Sequence, residues 1–308
     1  MLKLGGGMEV ILSAPRGFCA GVVRAVDVVE LCLKNFGPPV YVRREIVHNP
    51  HVVSDLRTKG AIFVEELDEV PDGERVVFSA HGVSPQVWQQ SKERNLSVVD
   101  ATCPLVTKVH LEALKYAKDG YTILLIGHKG HDEVIGTMGE APDITILIQN
   151  VDDAKNVQVT NQDKVVALTQ TTLSVLDTAE IVNVLKTRYP NLVTRNDICY
   201  ATSNRQDAIK SITKDVDLVM VIGAENSSNC NRLREVAESQ GVPAYLVNEP
   251  EDIKDEWLDG VEFVGITSGA STPERLVWEV VNKLNPSKVS TVELVEENVS
   301  FLLPKSLR

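Results

Sequence analysis

Short apolar runs alternate with longer amphipathic stretches through nearly the whole chain, and the alternation repeats. Three runs lead straight into a cysteine and then a helical pattern: Glu9-Val-Ile-Leu-Ser-Ala14 before Cys19, Leu96-Ser-Val-Val-Asp100 before Cys103, and Leu192-Val-Thr194 before Cys199. Behind each helix a strand opens into a polar loop. The pairs are Val40-Tyr-Val42 with His48-Asn-Pro-His51, Tyr121–Ile126 with Gly127-His-Lys-Gly-His131, and Leu218–Ile222 with Asn226-Ser-Ser-Asn229. A second strand and an acidic turn follow. The last strand of each copy opens into a small-residue loop: Ser79-Ala-His-Gly-Val-Ser84, Thr169-Gln-Thr-Thr-Leu-Ser174 and Thr267-Ser-Gly-Ala-Ser-Thr272.

Strands alternating with helices at these lengths predict parallel sheets joined by crossover helices. The repetition predicts an α/β fold of three pseudo-repeated units, with mainly parallel sheets, over residues 1–102, 103–198 and 199–284. A C-terminal tail, 285–308, packs back near the first unit. Its segments Thr291-Val-Glu-Leu294 and Val299-Ser-Phe-Leu-Leu303 read as strands that close over the site. Asn49-Pro50, Ser84-Pro85 and Thr272-Pro273 each place a capping side chain before a proline at a helix start, and Cys103-Pro104 follows the same grammar. Open α/β sheets bind ligands beyond the carboxyl ends of their strands. Three units facing one axis would therefore bring these loops and three thiols into one cleft.

Composition narrows the chemistry. The chain has 308 residues, with 31 basic and 43 acidic side chains and a formal net charge of −12. That balance argues against a nucleic-acid surface but leaves room for one local anion pocket. No apolar run approaches a membrane span, and Met1–Gly7 lacks the apolar stretch of a signal peptide. The Leu4-Gly5-Gly6-Gly7 stretch reads as a flexible leader. The expected setting is the cytoplasm, where the five cysteines are thiols rather than a disulfide framework.

Cys19, Cys103 and Cys199 each lie between a strand and a helix start, where unpaired N–H groups and the helix dipole favour a thiolate. Cys32 lies within a helical stripe of Val22, Val26, Val29 and Leu33 and reads as core. Cys230 follows a polar loop but has no counterpart in the other copies. Three thiolates without the histidine spacing typical of zinc suit an iron–sulfur cluster, although zinc held by three cysteines satisfies the same residues. A cubane cluster on three cysteines leaves one iron open to polarise a substrate oxygen.

The motifs resemble the LytB or IspH family of 4-hydroxy-3-methylbut-2-enyl diphosphate reductases of the non-mevalonate isoprenoid pathway. The matching stretches are Ala14-Pro-Arg-Gly-Phe-Cys19, Val47-His-Asn-Pro50, Ser79-Ala-His81-Gly, Asp100-Ala-Thr-Cys103-Pro and Gly127-His-Lys-Gly-His131-Asp-Glu133. They continue with Thr169-Gln-Thr-Thr172-Leu-Ser, Asp197-Ile-Cys199-Tyr, Asn226-Ser-Ser-Asn229 and Gly269-Ala-Ser271-Thr-Pro, so the likeness runs from about Val10 to Leu284. The resemblance implies a trefoil of three units around one [4Fe-4S] cluster, with Cys19, Cys103 and Cys199 as its three ligands and one open iron. It implies reductive removal of the substrate hydroxyl, giving isopentenyl and dimethylallyl diphosphates in the last step of the pathway.

Glu133, two residues after His131, is the candidate proton source. A carboxyl group near an anionic cluster and a diphosphate should keep its proton. His48, His81 and His131, on three strand-end loops, are candidate diphosphate contacts. In the family pattern Thr171, Thr172, Ser227, Ser228, Asn229 and Ser271 complete that cradle, with Thr172 near the hydroxyl end of the substrate. Hydroxyls, an amide, imidazoles and helix N-termini can hold a diphosphate without a lysine cluster. Arg16 and Lys129 read as solvated loop charges, and His51, His110 and His128 receive no role.

The resemblance also implies ferredoxin or flavodoxin as electron donor. These carriers are usually acidic, so docking needs a locally basic patch, for which Arg43 and Arg44 are candidates. Two other readings fit the thiols. One is a dehydratase without net reduction on a three-thiolate cluster, as in quinolinate synthase. The other is an iron–sulfur sensor or zinc-stabilised binding protein.

Overall fold

The computed structural model describes residues 7–308, so the glycine-rich leader lies outside the described residues except for Gly7. In chain order the strands are β1 (Glu9–Ala14), β2 (Val40–Arg43), β3 (Ala61–Val64), β4 (Arg75–Phe78), β5 (Ser97–Asp100), β6 (Thr122–Ile126) and β7 (Thr145–Ile148). They continue as β8 (Val165–Thr169), β9 (Val193–Thr194), β10 (Leu218–Ile222), β11 (Ala244–Val247), β12 (Phe263–Ser268) and β13 (Lys288–Glu293). The α-helices are α1 (Ala20–Phe36), α2 (Pro50–Thr58), α3 (Pro85–Glu93), α4 (Pro104–Lys118) and α5 (Asp132–Glu140). After them come α6 (Val151–Asn156), α7 (Val175–Arg188), α8 (Tyr200–Ile212), α9 (Ser228–Ser239) and α10 (Glu274–Leu284).

The strands form three sheets, with orders β11-β10-β12-β1-β13, β3-β2-β4-β5 and β7-β6-β8-β9. All their pairings are parallel. The expected α/β architecture of three parallel sheets is therefore present. Parallel strands covered on both faces need apolar side chains at successive positions. Strands β8 and β10 accordingly bury every residue. Helix α1 buries Val22, Ala25, Val28, Val29 and Cys32, the spacing of a single apolar stripe. Cys32 is core, as its spacing predicts.

The chain divides into two compact units. One comprises the chain up to Cys19, His48–Val52 and Tyr200–Val299 and holds the five-stranded sheet. The other comprises Ala20–Val47, Val53–Cys199 and Ser300–Arg308 and holds both four-stranded sheets.

Three local expectations need correction. Strand β1, read as opening the first of three repeats, instead lies between β12 and β13, with Leu12 opposite Ile266 on one side and Thr291 on the other. Strand–helix rhythm predicts each strand but not which neighbour completes its ladder. In the tail only Lys288–Glu293 is a strand; residues 299–303 form no regular element. Thr272 does not cap α10, because its hydroxyl donates to the Ile222 carbonyl at 2.9 Å and Pro273 takes the cap position.

Candidate active site

In the larger unit the loop after β6 ends on His131, which caps α5. The His131 Nδ1 accepts from the Glu133 backbone N–H at 3.2 Å. Glu133 thus sits in the first helical turn, and it is buried. The loop after β8 supplies the partner. Thr171 donates its backbone N–H to Glu133 Oε2 at 2.9 Å, and its hydroxyl lies 2.9 Å from each carboxylate oxygen. The Thr171 carbonyl in turn accepts from the Cys199 N–H at 3.0 Å.

Cys103 is reached from the other side. Its N–H donates to Ala80 at 2.9 Å, next to His81, and it occupies the cap position of α4 ahead of Pro104 without a side-chain capping bond. The His81 and His131 rings meet edge to face with centroids 5.9 Å apart. Contacts therefore join His81, His131, Glu133, Thr171 and Cys199 in one path, and Cys103 meets it through Ala80, the chain neighbour of His81. The neighbouring Thr172 Oγ1 accepts from Gln170 Nε2 at 2.9 Å. Thr171 thus meets Glu133 through both its backbone and its hydroxyl.

The smaller unit carries the remaining candidates. The Cys19 N–H donates to Ala270 at 3.1 Å, and the neighbouring Ser271 hydroxyl donates to the His48 carbonyl at 3.1 Å. Asn49 Oδ1 caps α2 by accepting from the Val52 N–H at 3.2 Å. Ser227 caps α9, accepting from the Cys230 N–H at 3.4 Å. Asn229 is 4% exposed, yet neither polar atom of its amide finds a hydrogen-bond partner among the described residues. A buried amide in that condition calls for a ligand.

The five thiols fall into two classes. Burial pushes the Cys32 and Cys230 thiols up to about 11, which keeps them protonated and poor ligands at neutral pH. Cys19, Cys103 and Cys199 are half-buried, and each directly precedes a helix with its backbone N–H tied to a strand-end loop. Three accessible, loop-anchored sulfur donors suit a soft-metal or iron–sulfur centre.

The LytB protein family pattern matches residues 10–285. The chain belongs to the LytB family. A protein from Ralstonia nicotianae named 4-hydroxy-3-methylbut-2-enyl diphosphate reductase is 53% identical, over 99% of this chain and 95% of its own. One of the same name from an Azoarcus species is 53% identical over 97% of this chain and 98% of its own. The solved E-1-hydroxy-2-methyl-but-2-enyl-4-diphosphate reductase from Plasmodium falciparum is similar to this LytB chain at a TM-score of 0.95 and 42% identity. That similarity covers 98% of this chain and 97% of the other. A second solved relative, titled as the terminal enzyme of the non-mevalonate pathway, aligns at a TM-score of 0.64 and 32% identity. It covers 90% of this chain and 99% of its own.

Several charges of this LytB chain depart from the sequence expectation. Arg16 is not solvated: its side chain is 14% exposed and pairs with Glu274 at 2.6 Å. Arg43 and Arg44 do not form an open basic patch. Arg43 pairs with Glu66 at 2.8 Å, and Arg44 pairs with both Glu66 and Asp132. His110 Nδ1 lies 2.7 Å from Glu140, and its ring packs where a side chain on Gly82 or Gly136 would stand. His51 Nε2 lies 3.0 Å from the Asn248 carbonyl. Sequence reasoning missed Arg205. Within a polar helix pattern it looks like a surface charge, yet it is wholly buried.

Proposed function

We propose that this chain reduces 4-hydroxy-3-methylbut-2-enyl diphosphate, removing its hydroxyl as water to give isopentenyl and dimethylallyl diphosphates, in keeping with the names of its relatives. The observation that carries the reading is the contact path in which Thr171 joins a buried carboxyl group, Glu133, to Cys199. The soft donor set of Cys19, Cys103 and Cys199 fits a [4Fe-4S] cluster with three cysteine ligands and one open iron. When bound, that group supplies electrons and Lewis acidity at the departing hydroxyl.

The protein's own groups do the rest. Glu133 is the proton source of this reading, and the Thr171 Oγ1, 2.9 Å from both of its carboxyl oxygens, is placed to relay that proton. Thr172 orients the hydroxyl end of the substrate from the adjacent position. The diphosphate is held by the His48, His81 and His131 imidazoles, the Ser227, Ser228 and Ser271 hydroxyls and the Asn229 amide. The unpartnered Asn229 amide supports that role, since its N–H donors stay available to an anionic oxygen. Loops tied to strand ends keep these donors fixed without a lysine cluster. Electrons come from ferredoxin or flavodoxin, and the setting is the cytoplasm. No helix among the described residues is long and apolar enough to cross a membrane.

Anaerobically purified protein is expected to be brown, with about four iron and four sulfide per chain. It should consume the allylic diphosphate only when electrons are supplied. A colourless zinc-containing preparation, or dehydration without a reductant, sinks the reading.

A further inference from the structure

We infer that the groove between α1 and α4, beside Cys103, is the landing face for ferredoxin, a small acidic one-electron iron–sulfur carrier. The inference rests on the reductase reading above and adds the place where electrons enter.

The groove has a volume of about 480 Å³ and lies wholly within the larger unit. One wall is a stripe of α4, running from Pro104 through Lys108 and Leu111 to Lys115; Arg24 of α1 forms the other. Because α4 is capped by Cys103, that stripe ends at a cluster ligand. Thr102 and Pro104, the chain neighbours of Cys103, both line the groove. An electron arriving there is therefore delivered to the residues that flank Cys103 in the chain.

The charge of the groove runs against that of the chain. Over the whole protein the net charge of −12 repels an acidic partner. The lining of the groove is different: three cations, Arg24, Lys108 and Lys115, stand against two acids, Asp100 and Glu112. Glu112 pairs with Arg195 at 3.4 Å, Asp197 is buried beneath Lys108 at 3.2 Å, and Asp100 accepts from the Thr102 N–H at 2.9 Å. Arg24 donates to the carbonyls of Thr102 and Leu302 at 3.0 and 2.8 Å and faces the Asp100 carboxylate, which offsets part of its charge. Lys115 is exposed. Leu111 is 60% exposed among these cations. An exposed leucine within a basic rim is the make-up of a transient electron-transfer contact, in which charge steers and a small apolar centre seats the partner. Each encounter oxidises one reduced ferredoxin and passes one electron. Two encounters therefore match the two electrons and two protons that one hydroxyl removal consumes.

Lys115→Glu and Leu111→Ser test the assignment on the cluster-loaded protein. At low salt the KM for reduced ferredoxin should rise roughly tenfold in either variant, while turnover driven by reduced methyl viologen stays unchanged. Independently of activity, carbodiimide coupling should join ferredoxin carboxylates to Lys108 or Lys115, mapped by mass spectrometry. An unchanged ferredoxin KM, cross-links confined to other lysines, or a parallel fall in viologen-driven turnover would each overturn the docking assignment. If the unaltered chain shows no viologen-driven turnover, the reductase reading fails instead, and the cross-link map still reports on the groove.

Discussion

The wholly buried guanidinium of Arg205 donates to the carbonyl of Gly17 at 2.8 Å, two residues before Cys19. The same group donates to the Ala201 carbonyl at 2.9 Å and pairs with Glu297 at 3.1 Å. Gly17 holds a left-handed φ of +70°, open to glycine at little cost. One cation therefore ties a bent loop, a helix and the tail together. Removing a buried partner leaves its acceptors unpaired at a cost of about 3–5 kcal/mol. Arg205→Leu should lower stability by that order, measured by denaturant unfolding, and reduce iron bound per chain. An unchanged unfolding midpoint would show that the strut is dispensable.

Glu133 and Thr171 should fail together but not alike. Glu133→Gln should keep cluster absorbance and lose about a hundredfold or more of turnover, as removal of a positioned acid does. Thr171→Ser keeps the hydroxyl and should stay active, whereas Thr171→Val should follow Glu133→Gln. Near-normal turnover of Glu133→Gln would remove that carboxyl from the mechanism.

Gly269 has no room for a side chain: a Cβ there would stand 2.2 Å from the Cys230 sulfur and 3.6 Å from the Asn229 amide. Its backbone angles pose no obstacle, so the clash alone decides the outcome. Gly269→Ala should destabilise by about 1–3 kcal/mol through overpacking against the Cys230 sulfur and, on the proposed role of Asn229, raise the KM for the diphosphate as Cys230 shifts its chain neighbour. Adding Cys230→Ala should recover part of both losses. Strictly additive effects in the double-mutant cycle would rule out the contact.

Burial raises the Cys32 and Cys230 thiols from 9.0 to about 11. Both are neutral when protonated, so the folded form is favoured while they keep their protons. Their contribution is complete below pH 9.0 and is lost as pH climbs toward about 11. Melting temperature followed across that window should fall, and a Cys32→Ala Cys230→Ala chain should show a shallower slope. Equal slopes would argue that neither thiol titrates with unfolding.

The parallel sheets and the three accessible thiols were legible because repetition writes them more than once. Each strand is an apolar run, and each cysteine follows one. Cys32 was legible from its helical stripe. Partners supplied by distant segments were not. Nothing in Glu9–Ala14 indicates that β12 and β13 are its neighbours, and nothing around Arg205 in its polar helix signals full burial. Arg16, Arg43 and Arg44 look solvated until Glu274, Glu66 and Asp132 are brought to them. That Thr171 reaches Glu133 was also hidden, since Thr171 and Thr172 are adjacent in the chain and nothing in the sequence gives their side-chain directions.

Strand β1 lies between two strands drawn from the far end of the chain. A ribosome releases the β1 segment early but its partners β12 and β13 almost last, so this sheet cannot close during most of synthesis. Until release, β1 has unsatisfied edges, and the Cys19 loop that follows it lacks its anchors at Ala270 and Arg205. On the proposed cluster, loading at Cys19 would wait until translation is complete, and a nascent chain stalled short of Lys288 should be a target for quality control rather than a partly working enzyme.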